Sequence, residues 1–119
     1  MYNVLLVGVG GAMGCALRHS VHLYITSYYG NLVANIIGCF LAGILASMFI
    51  PNSPAKFFIL TGFLGGLTTF SGVFLEATSD FGNNGLKWAA IYVLITNILC
   101  IAAFSIAAYL SNLFRHIQP

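Results

Sequence analysis

Charged residues are scarce in this chain, and their scarcity excludes an ordinary soluble domain. The 119 residues include four Lys or Arg and two Asp or Glu, so 5% are charged while 60% are hydrophobic. Soluble domains carry about a quarter charged residues. No segment alternates apolar and polar residues as a barrel strand does, so the sequence predicts an all-α membrane protein. We therefore expect membrane lipid as a partner and no nucleic acid.

Side chains that work in pairs to do chemistry are lacking too. The sequence has no nucleophile beside a base, no paired carboxylates and no phosphate-binding loop, so we expect no enzyme. The three histidines have no Cys or acid at metal-ligand spacing. An odd number of cysteines on separate apolar segments offers no disulfide framework, and these thiols are expected to behave as small hydrophobes. They are Cys15, Cys39 and Cys100.

The apolar segments predict a single transmembrane domain over 1–119. A span needs about 20 mainly apolar residues, and turn residues such as those of 81–85 separate the candidates. Met1-Tyr2-Asn3 supplies no basic region before the first apolar run, so we expect no cleavable signal sequence. The four predicted spans are 3–22, 31–50, 56–78 and 86–113.

The third predicted span contains a run that makes a poor continuous helix. Gly62, Gly65 and Gly66 are followed closely by Thr68, Thr69 and Ser71, and glycine weakens a helix. A break at membrane depth survives only where protein, water or an ion satisfies the backbone, and transporters bind ions at such breaks. The alternative is a Gly-rich helix that packs tightly against a neighbour.

The few basic residues are evenly divided between the two predicted sides of the membrane. Lys56 and Arg115 fall on one side, and Arg18 and Lys87 on the other. Because excess Lys and Arg sets the orientation of a membrane protein, this chain has no preferred direction. The balance favours a dimer of two oppositely oriented copies, although four basic residues can also balance by chance.

Polar residues recur on single faces of the predicted spans. On the first, Gly10 and Gly14 permit close helix approach, and Arg18 continues their spacing, either snorkelling to the interface or anchoring the break or a vestibule. On the second, Asn35 either makes an interhelical contact or donates to a passing anion. On the fourth, Tyr92 and Thr96 form a short polar track.

Three stretches of the chain carry motifs rich in glycine and small polar residues. The first is Gly-Phe-Leu-Gly-Gly-Leu-Thr-Thr-Phe-Ser, residues 62–71, and it resembles the third-helix signature of the Fluc family of fluoride channels. Gly8-Val-Gly-Gly-Ala-Met-Gly14 and the run from Gly30 to Gly43 are supporting matches in the same order. The resemblance covers three spans, and Tyr92 is a looser match on the fourth.

The resemblance implies an antiparallel dual-topology dimer that exports fluoride passively across the inner (plasma) membrane of the cell and so reduces fluoride toxicity. It implies a structural Na⁺ held by the backbone carbonyls of Gly65 and Thr68 from both subunits, with Arg18 as a structural or vestibule residue. It also implies a fluoride pathway with five lining residues. They are Asn35, Phe70, Ser71, Tyr92 and Thr96.

The chain departs from the family pattern just after the signature. Family members commonly carry a second pore phenylalanine three residues after the first, where this chain has Val73, and Phe74 lies one place along, roughly 100° around a helix. Val73 therefore also favours a paired subunit that needs a non-identical partner. A second rival is a small multidrug exporter, which needs an intramembrane acid; the only one here is Glu76, late in the third span.

Overall fold

The computed structural model of the protein describes residues 1–25, 29–79 and 85–117, and for residues 116 and 117 it describes the backbone alone. Within those ranges the regular structure is all helical. The greater part of the predicted turn at 81–85, and Asp80 before it, lie outside the described residues. The elements in chain order are α1 (Tyr2–Tyr24), α2 (Gly30–Leu45), α3 (Pro54–Lys56), a π-helical segment (Phe57–Leu64), α4 (Gly65–Leu67), α5 (Phe70–Ser79) and α6 (Gly85–Ile117).

Three stretches are long and apolar enough to cross a membrane, which makes this a multi-pass membrane protein. They are Tyr2–Tyr24, Pro54–Ser79 (the third span below) and Gly85–Arg115. Their bounds lie close to the predicted spans. α2 is apolar but has 16 residues, about 24 Å of helix, and the chain turns after Leu45 where helix was expected to Ile50. The four-span arrangement therefore stays a prediction.

The third span begins two residues earlier than predicted because of a local cap. Ser53 has an extended backbone, and its hydroxyl accepts a hydrogen bond from the Lys56 amide at 3.3 Å. Pro54 occupies the first helical position, where its missing N–H costs nothing. The wider π-helical turns that follow at Phe57–Leu64 are rare and often occur near functional sites, and no residue pattern in the sequence predicted them.

α1 packs directly against the backbone of the third span. A side chain on Gly10 would collide with the Phe58 carbonyl, and a Cβ on Gly14 would lie 2.7 Å from the Leu67 amide nitrogen. Both glycines are buried. The close approach that the four-residue glycine spacing predicted is therefore confirmed, and it brings the middle of α1 beside the end of α4.

α2 and α6 run side by side in the same direction. A Cβ on Gly43 would lie 2.8 Å from Ala107 Cβ, and one turn further along the Ser47 and Ser111 hydroxyl oxygens are 2.8 Å apart. At the same end Arg115 donates to the Ser47 carbonyl at 2.9 Å. The small residues set a fixed register between the two helices, so residues earlier on each helix also face one another.

Two small clusters of buried apolar residues lie on either side of the Thr68–Thr69 region. The first contains Val73, Ala77, Ala89 and Tyr92 and joins α5 to α6. The second joins α2 to the third span through Ala34, Leu64 and Leu67. Most large apolar side chains elsewhere are exposed on the single chain, and such an outer surface suits lipid or another subunit.

Candidate functional site

Helical structure in the third span ends at Leu67 and resumes at Phe70. Thr68 has an extended backbone with ψ of 147°, and Thr69 is not helical either. Asn35 of α2 satisfies the exposed backbone at this point. Its Oδ1 accepts from the Thr69 amide at 2.7 Å, and its Nδ2 donates to the Thr69 carbonyl at 2.9 Å. One side chain thus replaces the helical partners of Thr69 in both directions.

Thr69 also starts the second half of the span. Its hydroxyl accepts a hydrogen bond from the Gly72 amide at 3.0 Å, which is the geometry of a helix N-cap. The Ser71 hydroxyl lies 3.3 Å from the same oxygen. The amino end of α5, with its partial positive charge, is therefore fixed directly after the interruption.

The Gly65 and Thr68 carbonyls are among the backbone groups that lose their helical donors here, for two different reasons. In a continuous helix the Thr69 amide would donate to Gly65, but it donates to Asn35. The Gly72 amide would donate to Thr68, but it donates to Thr69 Oγ1. The Thr68 carbonyl receives instead a 3.5 Å contact from Arg18 Nη1. Gly65 is exposed on the single chain, so its carbonyl region is open to a neighbour.

These carbonyls suit a hard monovalent cation such as Na⁺, which prefers oxygen ligands as other hard cations do. Within the described ranges no group of three or more His, Cys, Asp and Glu residues could hold a metal ion. Any cation at this place would therefore depend on backbone oxygen. The Gly65 and Thr68 pair of one chain is too few ligands for a closed site.

A cavity of about 230 Å³, the central cavity, opens beside the interruption. Four of the predicted pathway or cation residues line it, namely Asn35, Thr68, Phe70 and Thr96. Thr96 of α6 is 3% exposed and has no hydrogen-bond partner for its hydroxyl among the described residues. A buried hydroxyl without a partner is costly unless something in the cavity accepts its proton.

Two further cavities adjoin the central cavity through shared lining residues. The Arg18 cavity, about 290 Å³, shares Thr69 with it and is also lined by Arg18, His19, His22, Asn31 and Ser71. The Ser105 cavity, about 260 Å³, shares Cys39, Asn97 and Cys100 with it and also includes Ser105. Hydroxyl, amide and thiol groups thus follow one another along α2 and α6 from a basic end.

Tyr92 is not among the lining residues of these three cavities; it belongs to a cluster around the only described acid, which adjoins the Arg18 cavity through His22. Its hydroxyl donates to Glu76 Oε2 at 3.2 Å, while His22 Nδ1 lies 3.5 Å from Glu76 Oε1. Both Tyr92 and Glu76 are buried. The structure therefore does not bring Tyr92 together with Asn35, Phe70 and Thr96, and Ser71 is found at the Arg18 cavity.

The position of the expected second phenylalanine is a packed one. Val73 is 1% exposed and belongs to the cluster between α5 and α6, although it also touches the central cavity. Phe74 instead lies beside Phe70 on the exposed face of α5, with the ring centroids 5.6 Å apart and the rings tilted by 52°. The chain thus has a neighbouring pair of rings, formed four residues apart rather than three.

Sequence reasoning missed three contributors to this region. The sequence predicts only a small hydrophobe at Cys39, but Cys39 and Asn97 each line two cavities. His22, which has no acid near it in the sequence, lies beside Glu76. The four-residue step from Asn35 to Cys39 indicates that Cys39 shares the polar face of α2. Nothing in the sequence indicates the contact between His22 and Glu76.

Comparison with known proteins identifies the family. The family model described as "CrcB-like protein, Camphor Resistance (CrcB)" matches residues 5–108. A fluoride-specific ion channel FluC of Agrobacterium fabrum is 37% identical, over 96% of this chain and 100% of its own. Proteins of the same name from Azobacteroides pseudotrichonymphae (34% identical, 94% of this chain and 98% of that one) and Erythrobacter litoralis (33%, 96% and 95%) are also similar.

Proposed function

The chain belongs to the CrcB family, whose members are ion channels and not enzymes, and we propose that it conducts fluoride passively out of the cell. The relatives that this chain matches over nearly their full lengths are named fluoride-specific ion channels. A chain that spans the membrane several times and carries a line of polar cavities is suited to that task.

The Thr96 hydroxyl is the observation that carries the proposal. It is buried, it lines the central cavity, and it has no partner within the described part of the chain. The second Nδ2 hydrogen of Asn35 is likewise left over once Thr69 has taken the first. Both are donors, and donors are what a dehydrating fluoride ion needs in place of water. The positive edge of an aromatic ring such as Phe70 adds to them.

Fluoride would enter from the Arg18 cavity and pass the interruption. The Arg18 guanidinium attracts anions to that end of the path, and the amino end of α5 favours negative charge where the two cavities meet at Thr69. Beyond it, Asn97, Cys100 and Ser105 offer weaker donors toward the other end. Small donors in series allow an anion to bind at each step without being held strongly.

We also propose that Na⁺ stabilises the assembled channel. Its ligands here would be the carbonyl oxygens of Gly65 and Thr68, which have lost their helical donors. Two copies in opposite orientation would supply four oxygens from a pair of interruptions. The cation supplies positive charge that holds the two interruptions together and favours anions nearby.

A non-identical partner subunit is the second candidate, and Val73 is the observation that favours it. The expected ring is missing from the central cavity, and Val73 is packed too closely for a simple exchange. Against it, Phe74 pairs with Phe70, so the chain does carry two neighbouring rings. A small multidrug exporter has less support, because Glu76 already bonds to Tyr92 and lies beside His22.

Fluoride efflux from liposomes containing only this purified chain tests the proposal. We expect efflux at channel rates, with chloride retained. We expect Thr96→Val to slow it by about 10- to 100-fold, because a hydrogen bond to a charged group is worth about 1.5–3 kcal/mol. Valine keeps the shape of threonine and removes only the hydroxyl.

Thr78→Val is the matched control for that variant. Thr78 is exposed on α5, and its hydroxyl bonds only to carbonyls of its own helix at 3.0 and 3.2 Å. Efflux through Thr78→Val should therefore equal that through the unchanged chain. If the lone chain proves fluoride-tight, the homodimeric channel is ruled out and the partner-subunit candidate replaces it. Equal effects of the two substitutions would remove the assigned role of Thr96.

A further inference from the structure

Cys39 of α2 and Cys100 of α6 meet at the boundary between two cavities. Both thiols line the central cavity of about 230 Å³ and the adjoining Ser105 cavity of about 260 Å³. Because the two residues share both cavities, the Cys39 thiol and the Cys100 thiol are neighbours. Both residues are free and half-buried. Anything bound between them would stand where the two cavities join.

The helix register fixes this meeting. A side chain on Gly43 would collide with the Phe104 carbonyl, so α2 and α6 touch through their backbones at that level. Cys39 and Cys100 each precede those positions by four residues, which is about one helical turn. Because the two helices run in the same direction, the thiols face each other from fixed backbones rather than from flexible segments.

The chemistry of the pair limits what it can bind. Thiolates select soft cations such as Cu(I), and such ions accept two sulfur ligands in a line. No third His, Cys, Asp or Glu completes a larger metal site anywhere in the described ranges, so hard or four-coordinate metal ions are poorly served. The neighbouring Asn97 side chain is already bonded to its own helix, because its Nδ2 donates to the Val93 carbonyl at 2.8 Å.

We propose that Cys39 and Cys100 form a two-coordinate site for a soft monovalent cation, Cu(I) or Ag(I), and that its occupation closes the fluoride pathway. Binding replaces both thiol protons: one cation and two thiols give a bis-thiolate complex and release two protons to solvent. The complex carries one net negative charge, so it repels fluoride as well as filling the passage. The closing step rests on the proposed function, whereas the binding step does not.

Ag(I) is the probe, and binding is measured first. The reduced full chain, purified in chloride-free nitrate buffer, is titrated with Ag(I), and the number of bound ions is measured by native mass spectrometry. With a soluble monothiol present to remove Ag(I) from any lone cysteine, we expect one Ag(I) to stay bound per chain and to be lost in Cys39→Ser and in Cys100→Ser. Cys15→Ser is the matched control: it removes the exposed lone thiol at the Arg18 cavity, away from the pair, and keeps the bound ion. Stoichiometry unchanged by both pair variants overturns the site.

Efflux is measured second, on the same proteins in liposomes. Each variant is compared with its own rate before Ag(I) is added. We expect Ag(I) to stop efflux through the unchanged chain and through Cys15→Ser. An excess of a soluble thiol should remove the Ag(I) and restore efflux. Efflux through Cys39→Ser should be unaffected by Ag(I). A chain that binds Ag(I) through the pair yet conducts as before disproves the closing step alone. A chain that never conducts refutes the proposed function and leaves the binding result standing.

Discussion

Asn35 and Thr96 face the same cavity from neighbouring helices, yet they do different work. Asn35 Oδ1 accepts from the Thr69 amide at 2.7 Å, and Asn35 Nδ2 donates to the Thr69 carbonyl at 2.9 Å. Thr96 makes no such bond within the described residues. The sequence predicts for Asn35 either an interhelical contact or a bond to a passing anion, and the bonds to Thr69 are a contact of the first kind. The structure gives Asn35 a second task, which is to hold the interruption in the third span.

Replacing Asn35 should therefore cost stability as well as conduction. Asn35→Leu leaves the Thr69 N–H and C=O without their partners, and we expect a loss of about 2–6 kcal/mol in the free energy of unfolding, at about 1–3 kcal/mol for each unpaired group. Denaturant unfolding in detergent measures it. Asn97→Leu is the control, since Asn97 is exposed and bonds only within α6. Matching stabilities for the two variants would mean that Asn35 does not support the backbone.

Residue patterns predicted much of the site, and packing explains the rest. The polar faces of α2 and α6 were readable from four-residue spacing, which is why Asn35 and Thr96 were found. Whether a side chain points at a cavity or at a neighbour depends on distant contacts. Tyr92 bonds to Glu76, sixteen residues away, and Val73 is buried by Ala77 and Ala89, so neither outcome was visible in the local pattern.

At the scale of the element, the third span combines a tight contact with an interruption. α1 lies against its first half so closely that glycine is required, while α2 supports the interruption through Asn35 and, at Gly38, through contact with the Thr68 side chain. The glycine spacing predicted the first contact. The π-helical turns and the early end of α2 depend on how the helices fit together, which the sequence does not display.

A larger residue at Gly14 should separate α1 from the third span. Its Cβ would lie 2.7 Å from the Leu67 amide nitrogen, directly before the interruption, and backbone atoms cannot move aside as a flexible side chain can. We expect Gly14→Leu to abolish the folded protein or to lower its free energy of unfolding by about 1–3 kcal/mol or more. Size-exclusion chromatography and denaturant unfolding in detergent measure the effect.

Gly8 provides the matched control on the same helix. A Cβ there meets nothing within 4 Å, so Gly8→Leu should behave like the unchanged chain in both measurements, apart from a small gain because leucine favours a helix over glycine. Tolerance of leucine at both positions would contradict the proposed contact. Damage at both would point to a general intolerance of α1 rather than to its approach to α4.

On the scale of the whole molecule, the proposed cation site is incomplete on a single chain. The Gly65 and Thr68 carbonyls of one chain are too few to enclose a cation, and Phe70 is 62% exposed although it borders the central cavity. A second copy in the opposite orientation would cover that face and double the carbonyls. Arg115 meets the end of α2 at Ser47, so the ends of α2 and α6 share one side of the membrane, as the charge count assumed.

If oppositely oriented copies are required, a small change in charge should control the activity. Asn83→Lys adds a charge to the side of Arg18 and Lys87, and Gln118→Lys adds one to the opposite side; both positions lie outside the described residues. One added charge can decide the orientation of so balanced a chain. We expect each variant alone to insert in one direction and to lose fluoride efflux, as measured in liposomes with impermeant labelling to report orientation. Co-expression of the two should restore efflux, and the double variant, balanced again, should conduct like the unchanged chain. Full efflux from a uniformly oriented single variant would show that the channel does not need the inverted pair.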